Sequence, residues 1–450
     1  MRISVVGLGK LGSPLAAMLA ARGHQVLGVD SNPAVLRTLG EGRAPVPEPG
    51  LQELVEEAGQ NLRVLDDIGE AVASSEVTYV IVPTPSGDDG EFSLDLLAPA
   101  VSAVGSAIAA KKGRHVLAVT STVMPGHCDG PIRETLEAAA RRPLGEDLGL
   151  VYNPEFVALG SVVADMSTPD LVLIGESHAW AGDLVESVAL SICANEPHVA
   201  RMSLVDAEVT KLAVNTFVTT RISYANMLAE ICERLPGADA SVVTAALGHD
   251  SRIGTKYLRP ATAYGGPCFP RDNVALSALA RRLGAHAELA EATHRVNRHQ
   301  VERLATMVDK QVSPGEGVVA VLGLSYKPGT PVVEESVGLL LAGRLARTGH
   351  KVVAYDPMAA TAARAVLDGG VEVTESLPSC ISDAAVAVLT TPWPELADLS
   401  SGAPGMRVID CWRHVDPGSI PPGGCLFHTG RGSLDGLEAD RSPYTGPDGR

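Results

Sequence analysis

Three sets of side chains in this 450-residue chain have the types and spacing to do chemistry. The first is a thiol. In Ala263-Tyr264-Gly265-Gly266-Pro267-Cys268-Phe269-Pro270-Arg271-Asp272, paired glycines and two prolines predict a loop rather than a helix around Cys268. A thiol on such a loop, beside Arg271 and Asp272, has the partly exposed, electropositive setting of a nucleophile. The competing reading is a buried structural cysteine, the usual fate of a free thiol, and six other cysteines can take that role. The second set is Glu208, Lys211 and Asn215. At helical spacing they share one face, since positions 208 and 215 differ by about 20° and 211 lies about 40–60° away. Buried, an ammonium beside an amide polarises a carbonyl or holds an alkoxide; solvated, the same residues form an ordinary Glu–Lys pair. Only eight of the 36 basic residues are lysines, so a compact ammonium at 211 points to a requirement that guanidinium does not meet. The third set is Gly7-Leu8-Gly9-Lys10-Leu11-Gly12, between a strand-like run and an Ala/Leu-rich stretch. Gly7 permits a tight turn, Gly9 admits a pyrophosphate to the backbone, and Gly12 lets the helix pack close to the strand. The phosphates would rest on the helix N-terminus. Asp30, at the end of the next strand, would accept from a ribose diol and repel a 2′-phosphate, so NAD is expected rather than NADP. The alternative is a glycine turn that only packs a helix.

These groups need a scaffold, and the chain contains its plan twice. Residues 2–30 read strand, glycine turn, helix, strand; residues 318–357 repeat it through Gly323-Leu324-Ser325-Tyr326-Lys327-Pro328-Gly329-Thr330. The second strands correspond as well, 23–30 against 349–356. The second copy lacks the three glycines, so it is not expected to hold a dinucleotide in the same way. It keeps Lys327 at the turn, a cation suited to another phosphate, although a lone lysine is usually only solvated. Two βαβ units about 320 residues apart predict two doubly wound domains, and 203–235 and 272–312 read as helical. The expected fold class is α/β, two Rossmann-like domains joined by a central helical domain. The expected boundaries are 1–200, 201–312 and 313–430, with a flexible Gly/Pro-rich tail over 431–450.

Composition narrows the function. Apolar residues at 45% and charged residues at 20% provide a packed core and exclude a disordered chain. A net charge of −17 without a basic run argues against nucleic acid or an anionic membrane as partner. No apolar run reaches the roughly 18 residues of a spanning helix, and no signal peptide opens the chain, so a cytoplasmic protein is expected. Seven scattered cysteines without C-x-x-C spacing predict reduced thiols, with neither a disulfide framework nor a metal site.

From about residue 1 to 420 the chain resembles the UDP-glucose/GDP-mannose dehydrogenases. The carrying motifs, in order, are Gly7–Gly12, Glu48-Pro49-Gly50-Leu51, Val82-Pro83-Thr84-Pro85, Ser121-Thr122-Val123, Asn153-Pro154-Glu155-Phe156, Lys211 with Asn215, Arg252-Ile253-Gly254, the Cys268 segment, and Gly323–Pro328. The resemblance implies an enzyme that oxidises the C6 hydroxyl of a nucleotide sugar, UDP-glucose or a relative such as TDP-glucose, to the uronic acid. The reaction removes four electrons and uses two NAD. Asp272 would act as base through an ordered water, with Lys211 and Asn215 holding the alkoxide. Cys268 would capture the aldehyde as a thiohemiacetal and pass through a thioester, which Glu155 hydrolyses with a water placed by Thr122. Thr84, Thr122 and Arg271 would join Gly7, Gly9, Gly12 and Asp30 around the cofactor. Tyr257, Leu258, Arg259, Gly265, Phe269 and Lys327 would line the substrate, together with Glu155, Lys211 and Asn215. Arg252 would reach across a homodimer interface made by the long helix after Ser203.

Several positions depart from the family pattern. Leu159 stands where a second acid is usual, Glu334 where an arginine is expected near the cofactor, Arg271 where lysine is common, and Trp412, beside Arg413, where an arginine often meets the nucleotide. These bear on substrate choice and cofactor affinity. Two rival readings are a two-electron β-hydroxyacid-type dehydrogenase, which needs neither Cys268 nor a second α/β domain, and a catalytically silent nucleotide-sugar-binding protein.

Overall fold

A computed structural model describes residues 1–432, and the chain divides into two compact units: Met1–Val214 with Ala278–Ala285, and Asn215–Ser277 with the chain from His286 on. The first unit is built on strands β1 (Arg2–Val6), β2 (Gln25–Val29), β3 (Leu62–Leu65), β4 (Val77–Val80), β5 (His115–Val119), β6 (Leu148–Tyr152), β7 (Leu171–Glu176) and β8 (His198–Met202). Their order is β3-β2-β1-β4-β5-β6-β7-β8, with only β6 and β7 antiparallel. The first six follow the doubly wound order that opens a crevice at the carboxyl ends of β1 and β4. Strands β4, β5 and β6 are buried along their whole length, which is why they are mainly apolar rather than alternating.

The second unit holds β9 (Val318–Leu322), β10 (Lys351–Tyr355), β11 (Val371–Thr374), β12 (Ala384–Leu389), β13 (Arg407–Asp410) and β14 (Cys425–His428). They form an all-parallel sheet in the order β11-β10-β9-β12-β13-β14. Between the two sheets in sequence come the helices Leu204–Glu233, Ala240–Gly248, Phe269–Arg282 and Glu288–Asp309. The protein is therefore α/β, with two Rossmann-like sheets and an intervening helical region.

The two glycine turns are closer relatives than the sequence suggests. Gly7 has φ +95°, and a Cβ on Gly12 would lie 1.8 Å from the Gly7 carbonyl oxygen. Gly323 has φ +103°, and a Cβ on Gly338 would lie 1.8 Å from the Gly323 carbonyl oxygen. The Gly7 N–H donates to Val29 and the Gly323 N–H to Tyr355, each at 2.8 Å. The second copy thus keeps the first and third glycines, correcting the expectation that it lacks all three. Fourteen residues, 324–337, separate them instead of four, and this insertion hides the correspondence.

The carboxylates after the second strands diverge. Asp30 is half-buried and accepts the Leu8 N–H and the Asn32 N–H, each at 2.7 Å, one on each oxygen. Its counterpart Asp356 is 1% exposed. One oxygen of Asp356 accepts the N–H groups of Met358 and Ala359. The other takes those of Leu324 and Ser325, the Ser325 hydroxyl and the Trp393 indole. A carboxylate so enclosed braces the turn and has no access to a ribose. The expected tail begins at 431, yet Arg431 bridges to Asp239 and the Gly432 N–H donates to Ala238 at 2.9 Å. The rest of it, 433–450, lies outside the described residues.

Candidate active site

In the first unit, loops at the carboxyl ends of the strands are tied to one another. The Thr84 hydroxyl donates to the Thr122 carbonyl at 2.7 Å, and the Ser121 hydroxyl donates to Val82 O at 2.7 Å while accepting from Val82 N. After β6, the Asn153 N–H donates to Val119 O, and its amide donates to Leu173 O. These bonds aim the loop that carries Glu155. Glu48, from the Glu-Pro-Gly-Leu motif, braces the continuation by accepting the N–H groups of Gly160 and Val162 at 2.8 and 2.7 Å.

Lys211 lies on the helix Leu204–Glu233 and is 6% exposed. Its Nζ donates to the Glu155 carbonyl at 2.6 Å and sits 4.4 Å from the centroid of the Phe156 ring, a cation–π placement strengthened by the lack of water. Burial pushes the Glu155 carboxyl up to about 7, against the opposing pull of the Lys211 ammonium. The solvated-face reading of Glu208, Lys211 and Asn215 is therefore wrong, because all three are buried. Glu208 accepts the N–H groups of Gly126 and Cys128 at 2.7 Å each, bracing the loop just beyond Thr122.

In the second unit, Asn215 follows one helical turn after Lys211 and donates from its amide to Asp272 at 2.6 Å. Asp272 is 1% exposed. Cys268 stands outside any helix, as expected, but as the last residue of its loop: the helix Phe269–Arg282 begins directly after it, and its carbonyl accepts the Asp272 N–H at 2.9 Å. Pro270 fits inside the first turn, where its missing N–H would have had no helical partner. The thiol thus sits at a helix N-terminus, which favours negative charge. None of the seven cysteines forms a disulfide, and Cys268 is the one of the seven that is exposed.

Three buried asparagines, which sequence reasoning missed, hold this loop. Asn226 accepts Ala261 N–H and donates to Thr262 O; Asn297 accepts Tyr264 N–H and donates to Tyr264 O. Asn273 donates to Phe269 O and to the Thr219 hydroxyl. An amide that matches a backbone donor and acceptor together replaces a strand partner for an irregular segment. The available signal was the presence of asparagines inside otherwise good helices, where they are poor helix formers.

The remaining expected residues have these surroundings. Phe269 packs edge-on to Tyr264 with centroids 6.1 Å apart. Leu258 is buried, Tyr257 is exposed at φ +60°, and Arg259 donates to the Trp412 carbonyl. The Trp412 indole donates to Thr390 O, and Arg413 forms a paired bond with Asp239. Arg271 and Lys327 are half-buried. Gly265 is approached by the Glu335 carbonyl, 2.3 Å from where its Cβ would be. Arg252 is exposed and pairs with Asp250 through 3.0 and 2.7 Å bonds. Among the described residues no cluster of ligating side chains could hold a metal, and no helix is long and apolar enough to cross a membrane.

The first glycine turn fits a dinucleotide. A Cβ on Gly9 would meet nothing within 4 Å, so the backbone there is open to a pyrophosphate. No side chain caps the helix Gly12–Ala21 behind it, and each Asp30 oxygen retains acceptor capacity for a ribose. A turn of this form on the first sheet defines a dinucleotide-binding protein of the Rossmann class. It belongs to the UDP-glucose/GDP-mannose dehydrogenase family: the family's NAD binding domain matches residues 1–190, its central domain 205–299 and its UDP binding domain 320–417. A UDP-glucose 6-dehydrogenase of Haloferax volcanii is 35% identical over 421 residues, 92% of this chain and 97% of that one. A GDP-mannose 6-dehydrogenase of Azotobacter vinelandii is 32% identical, covering 91% and 96%. The solved structure of a UDP-glucose dehydrogenase from Pyrobaculum islandicum superposes with a TM-score of 0.86 at 32% identity, covering 96% and 98%.

Proposed function

We propose that the protein converts the C6 hydroxyl of a nucleotide sugar, UDP-glucose or a close relative such as TDP-glucose, into the carboxylate, giving an activated uronic acid of the kind polysaccharide synthesis consumes. The observation that carries this reading is the exposed Cys268 at a helix start, one turn from the Asp272–Asn215 pair. NAD supplies the hydride acceptor for each of two oxidations. Asp272 takes the C6 hydroxyl proton through a water, while Lys211 and Asn215 stabilise the alkoxide until C6 releases its first hydride. The Cys268 thiolate then adds to the aldehyde carbon, and the thiohemiacetal releases the second hydride to become a thioester. Glu155, with Thr122 placing a water, removes a proton from that water as it attacks. The C–S bond breaks, the acid departs and the thiolate is restored. A base near 7 is well matched to this last step at neutral pH.

In this reading Thr84 and Arg271 join Gly7, Gly9, Gly12 and Asp30 at the cofactor, and Tyr257, Leu258, Arg259, Gly265, Phe269 and Lys327 serve the nucleotide sugar. Functionally the chain divides into an NAD part (1–200), a helical part carrying the thiol (201–312) and a nucleotide-sugar part (313–430). The protein acts as a homodimer with Arg252 completing the partner's site. Phe217, Tyr224 and Ile231 support this: they recur every seven residues along the long helix and are 65%, 47% and 48% exposed, an apolar stripe suited to a second copy. A mechanism that needs a reduced thiol belongs in a reducing compartment, the cytoplasm. The test is stoichiometry. Two NADH per UDP-glucose consumed, with the uronic acid as product, is expected; one NADH with a released aldehyde would overturn the proposal.

A further inference from the structure

We propose that residues 324–337, inserted between the two glycines of the second Rossmann turn, form a strut that orders the Cys268 loop when a nucleoside diphosphate occupies the second α/β domain, with Tyr326 as the positioning residue. This rests on the reading of that domain as nucleotide-binding through Lys327.

Both ends of the insert are anchored. At its start, Ser325 donates through N–H and hydroxyl to the enclosed Asp356, and its carbonyl accepts from the Thr391 hydroxyl at 2.7 Å. At its end, Ser336 caps the helix Val337–Arg347. The insert also closes on itself, Tyr326 N–H donating to Val332 O at 2.9 Å. Its middle is pressed against the thiol loop. Gly266, two residues before Cys268, donates its N–H to Glu334 O at 3.0 Å. A Cβ on Gly266 would lie 2.7 Å from both Cδ2 and Cε2 of Tyr326, and Gly266 itself is at φ +81°. Glu335, at φ +50° and paired with Arg298 at 3.1 Å, presents its carbonyl to Gly265. Thus the two glycines before the thiol are required by the strut. Contacts this tight leave no slack to absorb a shift, and Lys327 is the next residue after the ring that makes them. A phosphate drawn to Lys327 therefore fixes Tyr326, Gly266 and the start of the thiol loop in one motion. The Tyr326 atoms nearest Gly266 are Cδ2, Cε2 and Cγ of the ring, which phenylalanine keeps and alanine removes.

Hydrogen exchange over residues 263–268 of the full chain tests this, with and without saturating UDP, alongside calorimetric measurement of UDP affinity. UDP should slow exchange at Gly266 by about fivefold or more in wild type and Tyr326→Phe, the lower end of ordinary coupling between sites. In Tyr326→Ala, UDP should still bind but the slowing should vanish, and kcat should fall far more than KM for the nucleotide sugar changes, with Tyr326→Phe restoring both. Equal slowing in Tyr326→Ala would overturn the strut, as would UDP that binds wild type without changing exchange. UDP that fails to bind wild type at all would overturn the nucleotide-domain reading itself, and the strut with it.

Discussion

Replacing Glu155 with glutamine should sharply slow one catalytic step while stabilising the fold, and the two effects share one cause. Burial lifts the carboxyl from 4.5 to about 7. With that value about a tenth of the base is ionised at pH 6, half at pH 7 and nine-tenths at pH 8. Thioester hydrolysis should therefore lose about tenfold per pH unit below 7. In Glu155→Gln it should be slower by roughly 10²–10⁴ at every pH, with this acid limb gone. A stopped-flow trace of the variant should show a burst of two NADH per site followed by slow turnover, and intact-protein mass spectrometry should find the acyl adduct on Cys268. Stability moves the other way. A carboxyl with a raised folded pKa imposes no penalty below its unfolded value near 4.5, becomes progressively destabilising as pH rises to about 7, and costs a constant amount above. The shift sets an upper bound of about 3 kcal/mol at pH 8. Glu155→Gln should recover part of this at pH 8 and little at pH 5 in matched urea titrations. An acid limb that survives in the variant, or a stability gain that is the same at both pH values, would refute the assignment of a raised carboxyl as the hydrolytic base.

Asp30 should exclude a 2′-phosphate, so NADP should be a poor substitute and Asp30→Ala should raise KM for NAD; similar kcat/KM for both cofactors in wild type would contradict this. Arg252→Ala and Cys268→Ala, each inactive alone, should regain activity when subunits are exchanged, because one native site can form in the mixed dimer. No recovery despite proven exchange would place Arg252 in its own chain's service. Gly338→Ala should destabilise the second domain by about 2 kcal/mol or more, since its Cβ would lie 1.8 Å from the Gly323 carbonyl oxygen; a variant as stable as wild type would show that Gly338 is not the third glycine of the turn.

What the sequence determined alone is local. Gly7, Gly9, Gly12 and Asp30 lie within thirty residues, and their meaning follows from one strand, one turn and one helix of fixed geometry. Lys211 and Asn215 share a face because a helix has a period, and that is legible in any window of eight residues. What only the tertiary structure decided is whatever depends on pairing across the chain. Asp272 meets Asn215 across 57 residues of sequence. Asn226 and Asn297, on two helices, grip one loop, and Gly265 and Gly266 are glycines because Glu335 and Tyr326 arrive from far along the chain. Gly338 was hidden because an insertion broke the spacing while the close approach it serves was kept. The carboxyl of Glu155 reaches about 7 through desolvation, which no neighbour in sequence supplies: it is the packed protein around it that withholds water.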